Sequence, residues 1–104
     1  MDVIIDEQVH QTIMKFYEAS KFLHETLDDR TISNKLRRIY DEVEKMGQYA
    51  TAYNIARLNL AWKQKGYREY IIEDFHFAYR IYRDENGESF VYIHDVCHSY
   101  LYKE

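Results

Sequence analysis

Apolar and polar residues alternate through the C-terminal third of the chain, where His76, Ala78 and Arg80 separate Phe75, Phe77, Tyr79 and Ile81. A period of two belongs to a strand with one buried face, so the stretch 66–98 reads as sheet. Asn86-Gly87 lies between two such runs and suits a two-residue type I′ turn, because both residue types tolerate positive φ. Counting outward from that turn sets Tyr79 against His94, Phe77 against Val96 and Phe75 against His98, forming an apolar and aromatic face. The other face then holds His76, Ala78, Arg80 and Tyr82 against Cys97, Asp95, Ile93 and Val91. It is half polar.

The N-terminal half has a different period. Val3 to Ile5 is a short apolar run suited to a strand, and Asp6 behind it is placed to cap a helix. From Glu7 to about Leu27, Val9, Ile13, Phe16, Tyr17, Phe22, Leu23 and Leu27 recur at helical spacings and define one buried stripe. Asp28-Asp29-Arg30-Thr31 interrupts it, with Asp29 or Thr31 as cap of a second helix. That helix buries Ile32, Leu36, Ile39, Tyr40, Val43 and Met46, and Gly47 ends or kinks it. Between Gln48 and Leu60 a continued helix, a third short helix and a loop all fit. The order strand, helix, helix, three strands predicts a single α+β domain over 1–104. A helical hairpin packs on one face of a mostly antiparallel sheet of about four strands, and the second face is left partly open for chemistry or a partner.

The length supports one hydrophobic core and not two. No apolar run reaches membrane-spanning length and no secretory pattern is present, so a cytoplasmic protein without membrane contact is expected. The single Cys97 supports no internal disulfide and suits a reducing compartment. The net charge of −4 argues against a general nucleic-acid binder. However, 57–68 carries Arg57, Lys63, Lys65 and Arg68 with no acidic residue, which suits either a solvated loop, a protected strand edge or a ligand contact. His94 and His98 are four residues apart in an expected strand, about 13 Å, too far to share an ion, so neither metal nor cofactor is expected.

Three local patterns, Gly66-Tyr67-Arg68-Glu69, Phe75-His76-Phe77-Ala78-Tyr79-Arg80 and Val96-Cys97-His98, together resemble the RelE/ParE superfamily of toxins from bacterial toxin–antitoxin (plasmid stabilisation) modules. The first is similar to the family's entry to its central hairpin, the second to the strand that follows, and the third to its closing "apolar, apolar, histidine". The resemblance implies either of two activities: RelE-like members cut mRNA in the ribosomal A site as metal-independent endoribonucleases (mRNA interferases), whereas ParE-like members inhibit DNA gyrase and cleave nothing. A degenerate member that only binds a partner is a further alternative. A cognate antitoxin is the implied neutralising partner. Fold alone does not choose between these readings.

Metal-free RNA cleavage needs a base for the 2′-hydroxyl, a cation at the phosphate and an acid for the leaving oxygen. Carried over by position, His76 falls where many members have arginine, and His98 and Tyr100 fall at the terminal His or Tyr positions of related nucleases. These three are the expected catalytic residues, with Arg68, Arg80, Lys63 and Lys65 expected to hold substrate. Each has a structural reading beside it. His94 and His98 are expected on the core face as hydrogen-bonded residues. Arg80 is placed for a surface ion pair with Asp95, and Arg68 for one with a carboxylate of the second helix. Cys97 beside His76 suggests a Cys/His pair, but also an ordinary half-buried thiol.

Overall fold

A computed structural model gives the fold and describes residues 1–23, 28–56 and 59–99. In chain order the elements are β1 (Asp2–Ile5), α1 (Glu7–Leu23), α2 (Asp29–Met46), a 3₁₀ turn (Ala50–Ala52), α3 (Leu60–Gln64), β2 (Arg68–Ile72), β3 (Phe75–Arg83) and β4 (Ser89–His98). The four strands form one sheet in the order β1-β4-β3-β2, with β1 parallel to β4 and the other pairs antiparallel. This is the expected α+β architecture of strand, helical hairpin and mostly antiparallel sheet.

Local chemistry explains where the helices begin and end. Asp6 caps α1, its Oδ1 accepting the Gln8 N–H at 2.9 Å. The cap of α2 is Asp28, whose Oδ1 accepts the Thr31 N–H at 2.8 Å, so neither Asp29 nor Thr31 takes that role. Asp29, one residue inside the helix, instead pairs with Lys21 of α1. Gly47 ends α2 with right-handed backbone (φ −58°), so its glycine is not needed for a left-handed turn. Space is the reason: a Cβ there would sit 2.3 Å from the Met1 carbonyl oxygen, where β1 passes over the end of the helix.

The core joins Val9, Ile13 and Tyr17 of α1 and Ile32, Ile39, Val43 and Met46 of α2 to Phe75, Phe77, Tyr79, Val91, Ile93 and Val96 of the sheet. Phe22, expected on the α1 stripe, is instead exposed, and Leu27 lies outside the described residues. Where the helices face each other, the His10 Nδ1 and the Tyr40 hydroxyl are 2.7 Å apart with their rings stacked.

The β3–β4 register corrects the expected hairpin in two places. The connection is a three-residue loop, in which the Gly87 N–H donates to the Asp84 carbonyl and the Asp84 N–H to the Glu88 carbonyl. Asp84 Oδ1 accepts the Asn86 and Glu88 N–H groups, and Gly87 alone takes positive φ (+80°), as in a type I turn closed by a glycine bulge. That loop shifts the pairing by one residue, so Arg83 faces Ser89 and Tyr79 faces Ile93, not His94. A β-bulge at His94 then shifts it back, and Phe77–Val96 and Phe75–His98 pair as expected. Between loop and bulge the faces are reversed from the expectation: Val91 and Ile93 are in the core, and His94 turns to the second face.

The two-residue turn with both central residues at positive φ lies elsewhere, at Glu73 (φ +48°) and Asp74 (φ +69°) between β2 and β3. Left-handed backbone costs a non-glycine residue roughly 1–2 kcal/mol. Glu73 is tied to Arg38 of α2 by an ion pair at 3.8 Å, and the Asp74 carbonyl accepts the Ser99 N–H at 2.6 Å. The turn thus fastens the end of β4 to the start of β3.

Candidate functional site

The second face of the sheet, opposite α1 and α2, is where the sequence placed the chemistry. Its centre is covered. Within 57–68, expected as loop or strand edge, Leu60–Gln64 form α3, capped by Asn59 Oδ1 accepting the Trp62 N–H at 3.1 Å. Gly66 at φ +69° closes it, its N–H donating to Lys63 and that of Tyr67 to Trp62 in a Schellman arrangement. Trp62, 3% exposed, packs on Ala78 and Ala56, and its Nε1–H donates to Asp95 Oδ2 at 2.9 Å. That bond replaces the expected Arg80–Asp95 pair: Asp95 is opposite Ala78 as expected, but Arg80 is opposite Tyr92 and not Ile93, so the bulge at His94 sets one more residue between them.

Trp62 divides the face into two halves. On one side of it, around His94, lies an aromatic cluster. Tyr67 stacks on the His94 ring at 4.8 Å, the Tyr82 hydroxyl is 2.8 Å from His94 Nε2, and the Tyr92 ring lies 4.7 Å away. The Tyr92 hydroxyl donates to Asp6 Oδ2 at 2.8 Å, which lowers the carboxyl's pKa and raises the phenol's. Arg80 is exposed at the rim, its guanidinium 5.6 Å from the Tyr82 ring centre, and Lys65 lies 5.8 Å from that of Tyr67.

The other half centres on His76. Its neighbours straight across the sheet are Ile71 on β2 and Cys97 on β4. Its ring nitrogens reach the diagonal neighbours instead: Nδ1 is 2.9 Å from Glu69 Oε2 and Nε2 is 2.9 Å from Ser99 Oγ. The His76 and Glu69 side chains are only 12% and 18% exposed, so the pair is shielded from water. A carboxylate on Nδ1 favours the tautomer with hydrogen on that atom and leaves Nε2 as the basic nitrogen. Beside it, burial and then Asp95 raise the pKa of the Cys97 thiol, which disfavours the thiolate a Cys/His pair requires.

The remaining expected site residues are spread out. Arg80 is four residues from His76 on the same face of β3, about 13 Å along the strand. Lys63 and Lys65 are exposed on α3, on that same side of the sheet. Arg68 pairs with Tyr79 and therefore faces the helical layer, where its guanidinium donates to the Tyr53 carbonyl and not to a carboxylate of α2. His98 also faces the helices, stacked on Phe16 at 4.0 Å and edge-on to Phe75 at 5.0 Å, in a cleft of about 350 Å³. His76 and His98 thus lie on opposite sides of the sheet. Tyr100 lies outside the described residues. Burial pushes the Tyr70 phenol up to about 12 and raises that of Tyr79, whose hydroxyl donates to the Ala50 carbonyl, so both are neutral structural groups.

The two partners of His76 were the residues the sequence reading missed. Ser99 was readable, since the expected pairing of His76 with Cys97 already makes Ser99 a diagonal neighbour. Glu69 was not, because its register depends on a turn at Glu73-Asp74 that carries neither glycine nor asparagine.

Burial is the main cause lowering the pKa values of His94 and His98. Both are therefore held neutral in the fold while the unfolded chain titrates near 6.5. Below that value the unfolded state binds protons that the folded state refuses, so stability is full above about pH 6.5 and declines as the pH falls. Urea unfolding from pH 7.5 to 5.5 is expected to show a falling midpoint, with a shallower fall in His98→Gln.

The chain matches no protein-family model, no curated protein and no solved structure. Among the described residues no helix is long and apolar enough to cross a membrane, and no group of three or more His, Cys, Asp or Glu is placed to hold a metal.

Proposed function

We propose that this chain is the cytoplasmic toxin of a type II toxin–antitoxin module, of RelE/ParE type, and that it cleaves mRNA on the ribosome. The observation that carries the reading is His76, oriented by Glu69 on the sheet face that also bears Arg80. The order of elements and the three local motifs support the family.

In this reaction His76 Nε2 takes the proton of a ribose 2′-hydroxyl, which replaces the Ser99 hydroxyl as its partner. The 2′-oxygen attacks the adjacent phosphorus, forming the cyclic phosphate as the bond to the 5′-oxygen breaks. Arg80, about 13 Å along the strand from His76, holds the phosphate of a neighbouring nucleotide, and Lys63 and Lys65 hold the flanking backbone. Tyr100, which follows Ser99 in the chain, is assigned to protonate the leaving 5′-oxygen. The ribosome contributes by presenting the strand, since a net charge of −4 gives this chain little attraction for free RNA.

The second reading is a ParE-like gyrase inhibitor or a binding module without catalysis. Trp62 occupying the middle of the face and Arg68 bound to a backbone carbonyl favour it. Induced expression separates the two: growth arrest with cleavage inside A-site codons supports the nuclease, whereas intact mRNA with stalled supercoiling assigns gyrase. Rescue by a neighbouring small gene identifies the antitoxin in either case.

A further inference from the structure

Beyond RNA chemistry, we propose that Ser99, His76 and Glu69 form a nucleophile, base and orienting carboxylate, and that Ser99 Oγ attacks small uncharged carboxylic esters. Ser99 Oγ is 2.9 Å from His76 Nε2, and His76 Nδ1 is 2.9 Å from Glu69 Oε2. This is the order of contacts that activates a serine in acyl transfer, recognised by geometry and not by position in the chain. The base and the carboxylate are shielded, while Ser99 itself is exposed and open to a substrate.

A second observation concerns how the serine is held. Its N–H donates to the carbonyl of Asp74, in a turn where Glu73 and Asp74 both take left-handed backbone without being glycine. Strain of this kind collects at sites where position matters. Here it places the end of β4 so that Ser99 meets the nitrogen of His76 turned away from Glu69.

The surroundings set the class of substrate. Ile71, 56% exposed, lies directly across from His76 on the same face, one strand further from Ser99, and offers an apolar rest for the more distant end of a bound ester. Glu69 beside His76 and Asp74 beside the serine repel anionic acyl groups.

In the step itself, Ser99 Oγ bonds to the ester carbonyl carbon as its proton passes to His76 Nε2 and the carbonyl electron pair moves onto oxygen. Collapse of that intermediate breaks the carbon–alkoxide bond, and the alkoxide leaves with the proton from Nε2. Water then repeats the sequence on the acyl-serine, releasing the acid and restoring Ser99. Glu69 is a positioning residue that keeps hydrogen on Nδ1 throughout.

The test is acetylation of the full chain by p-nitrophenyl acetate, followed by p-nitrophenolate release and by peptide mass mapping. The expected result is one acetyl group on Ser99, formed on the order of 10²-fold faster than on a blocked free serine, the low end of what a positioned base provides. Ser99→Ala and His76→Asn, each checked for unchanged circular dichroism, reduce that release to background. Glu69→Gln slows it and changes the nitrogen-15 shifts of the His76 ring, because the carboxylate that holds hydrogen on Nδ1 is gone. Acetyl groups confined to lysines, tyrosines or Cys97, or a rate unchanged in folded His76→Asn, overturn the proposal. Ribosomal cleavage is a separate assay, so failure of one reading is distinguishable from failure of the other.

Discussion

Trp62→Ala is expected to lower the unfolding free energy by about 3–5 kcal/mol, the range for removing a buried large aromatic side chain. Three effects act together. The indole is 3% exposed and is the contact through which five-residue α3 reaches the sheet at Ala78. A helix that short does not persist without tertiary packing. Asp95 Oδ2 also loses the Nε1–H donor in a partly buried setting, which costs further. Trp62→Phe keeps most of the apolar contact and is expected to cost less than half as much. Urea unfolding gives both numbers, and amide exchange at residues 60–64 reports whether α3 stays in place. A loss under about 1 kcal/mol, with exchange unchanged, would show that the helix is held by something else.

His76→Ala is expected to reduce A-site cleavage by about 10²–10⁴-fold, the usual worth of a positioned base. Glu69→Gln should have a smaller effect of the same sign, since the base remains but its orienting partner is neutral. Arg80→Ala should weaken the reaction through a neighbouring phosphate and leave folding unchanged, because the side chain is exposed. Arg68→Ala behaves differently. Its guanidinium ties the Thr51–Tyr53 segment to β2, so activity should fall only as stability falls. Cleavage assays on translating ribosomes, paired with unfolding midpoints for the same variants, separate the two patterns.

Most of the architecture was legible because periodicity reports which side of an element is buried. The stripes of α1 and α2 and the alternation in β3 led to the sheet and its helical layer. The middle of β4 was misread for a specific reason: two irregularities of opposite sign, the three-residue loop at 85–87 and the bulge at His94, cancel at the far end of the hairpin. A reading that counts from one turn obtains Phe75–His98 correctly and the faces of Val91, Ile93 and His94 incorrectly. Alternation carries no record of either irregularity, because Tyr92 and His94 suit a half-buried face as well as Val91 and Ile93 suit a core.

The site was legible as a set of residue types but not as an arrangement. His76 and Arg80 share a face because they are an even number of positions apart in one strand. Arg68 and His98 were assigned to the same site through resemblance, yet their registers place them opposite Tyr79 and Phe75, toward the helices. The cover over the second face arises from 59–67, where Trp62 among lysines reads equally as a ligand contact or as the anchor of a small helix. Only the distance from Trp62 to Asp95, thirty-three residues away, decides between them.

Both proposed chemistries require the His76 imidazole to carry hydrogen on Nδ1, directed at Glu69, with Nε2 unprotonated and turned toward the Ser99 hydroxyl. Nitrogen-15 NMR of the histidine rings above neutral pH measures this directly. The expected spectrum for His76 has a protonated Nδ1 and an imine-like Nε2, and both shifts change in Glu69→Gln. A protonated Nε2, or a ring averaging freely between tautomers and indifferent to Glu69→Gln, would contradict the account.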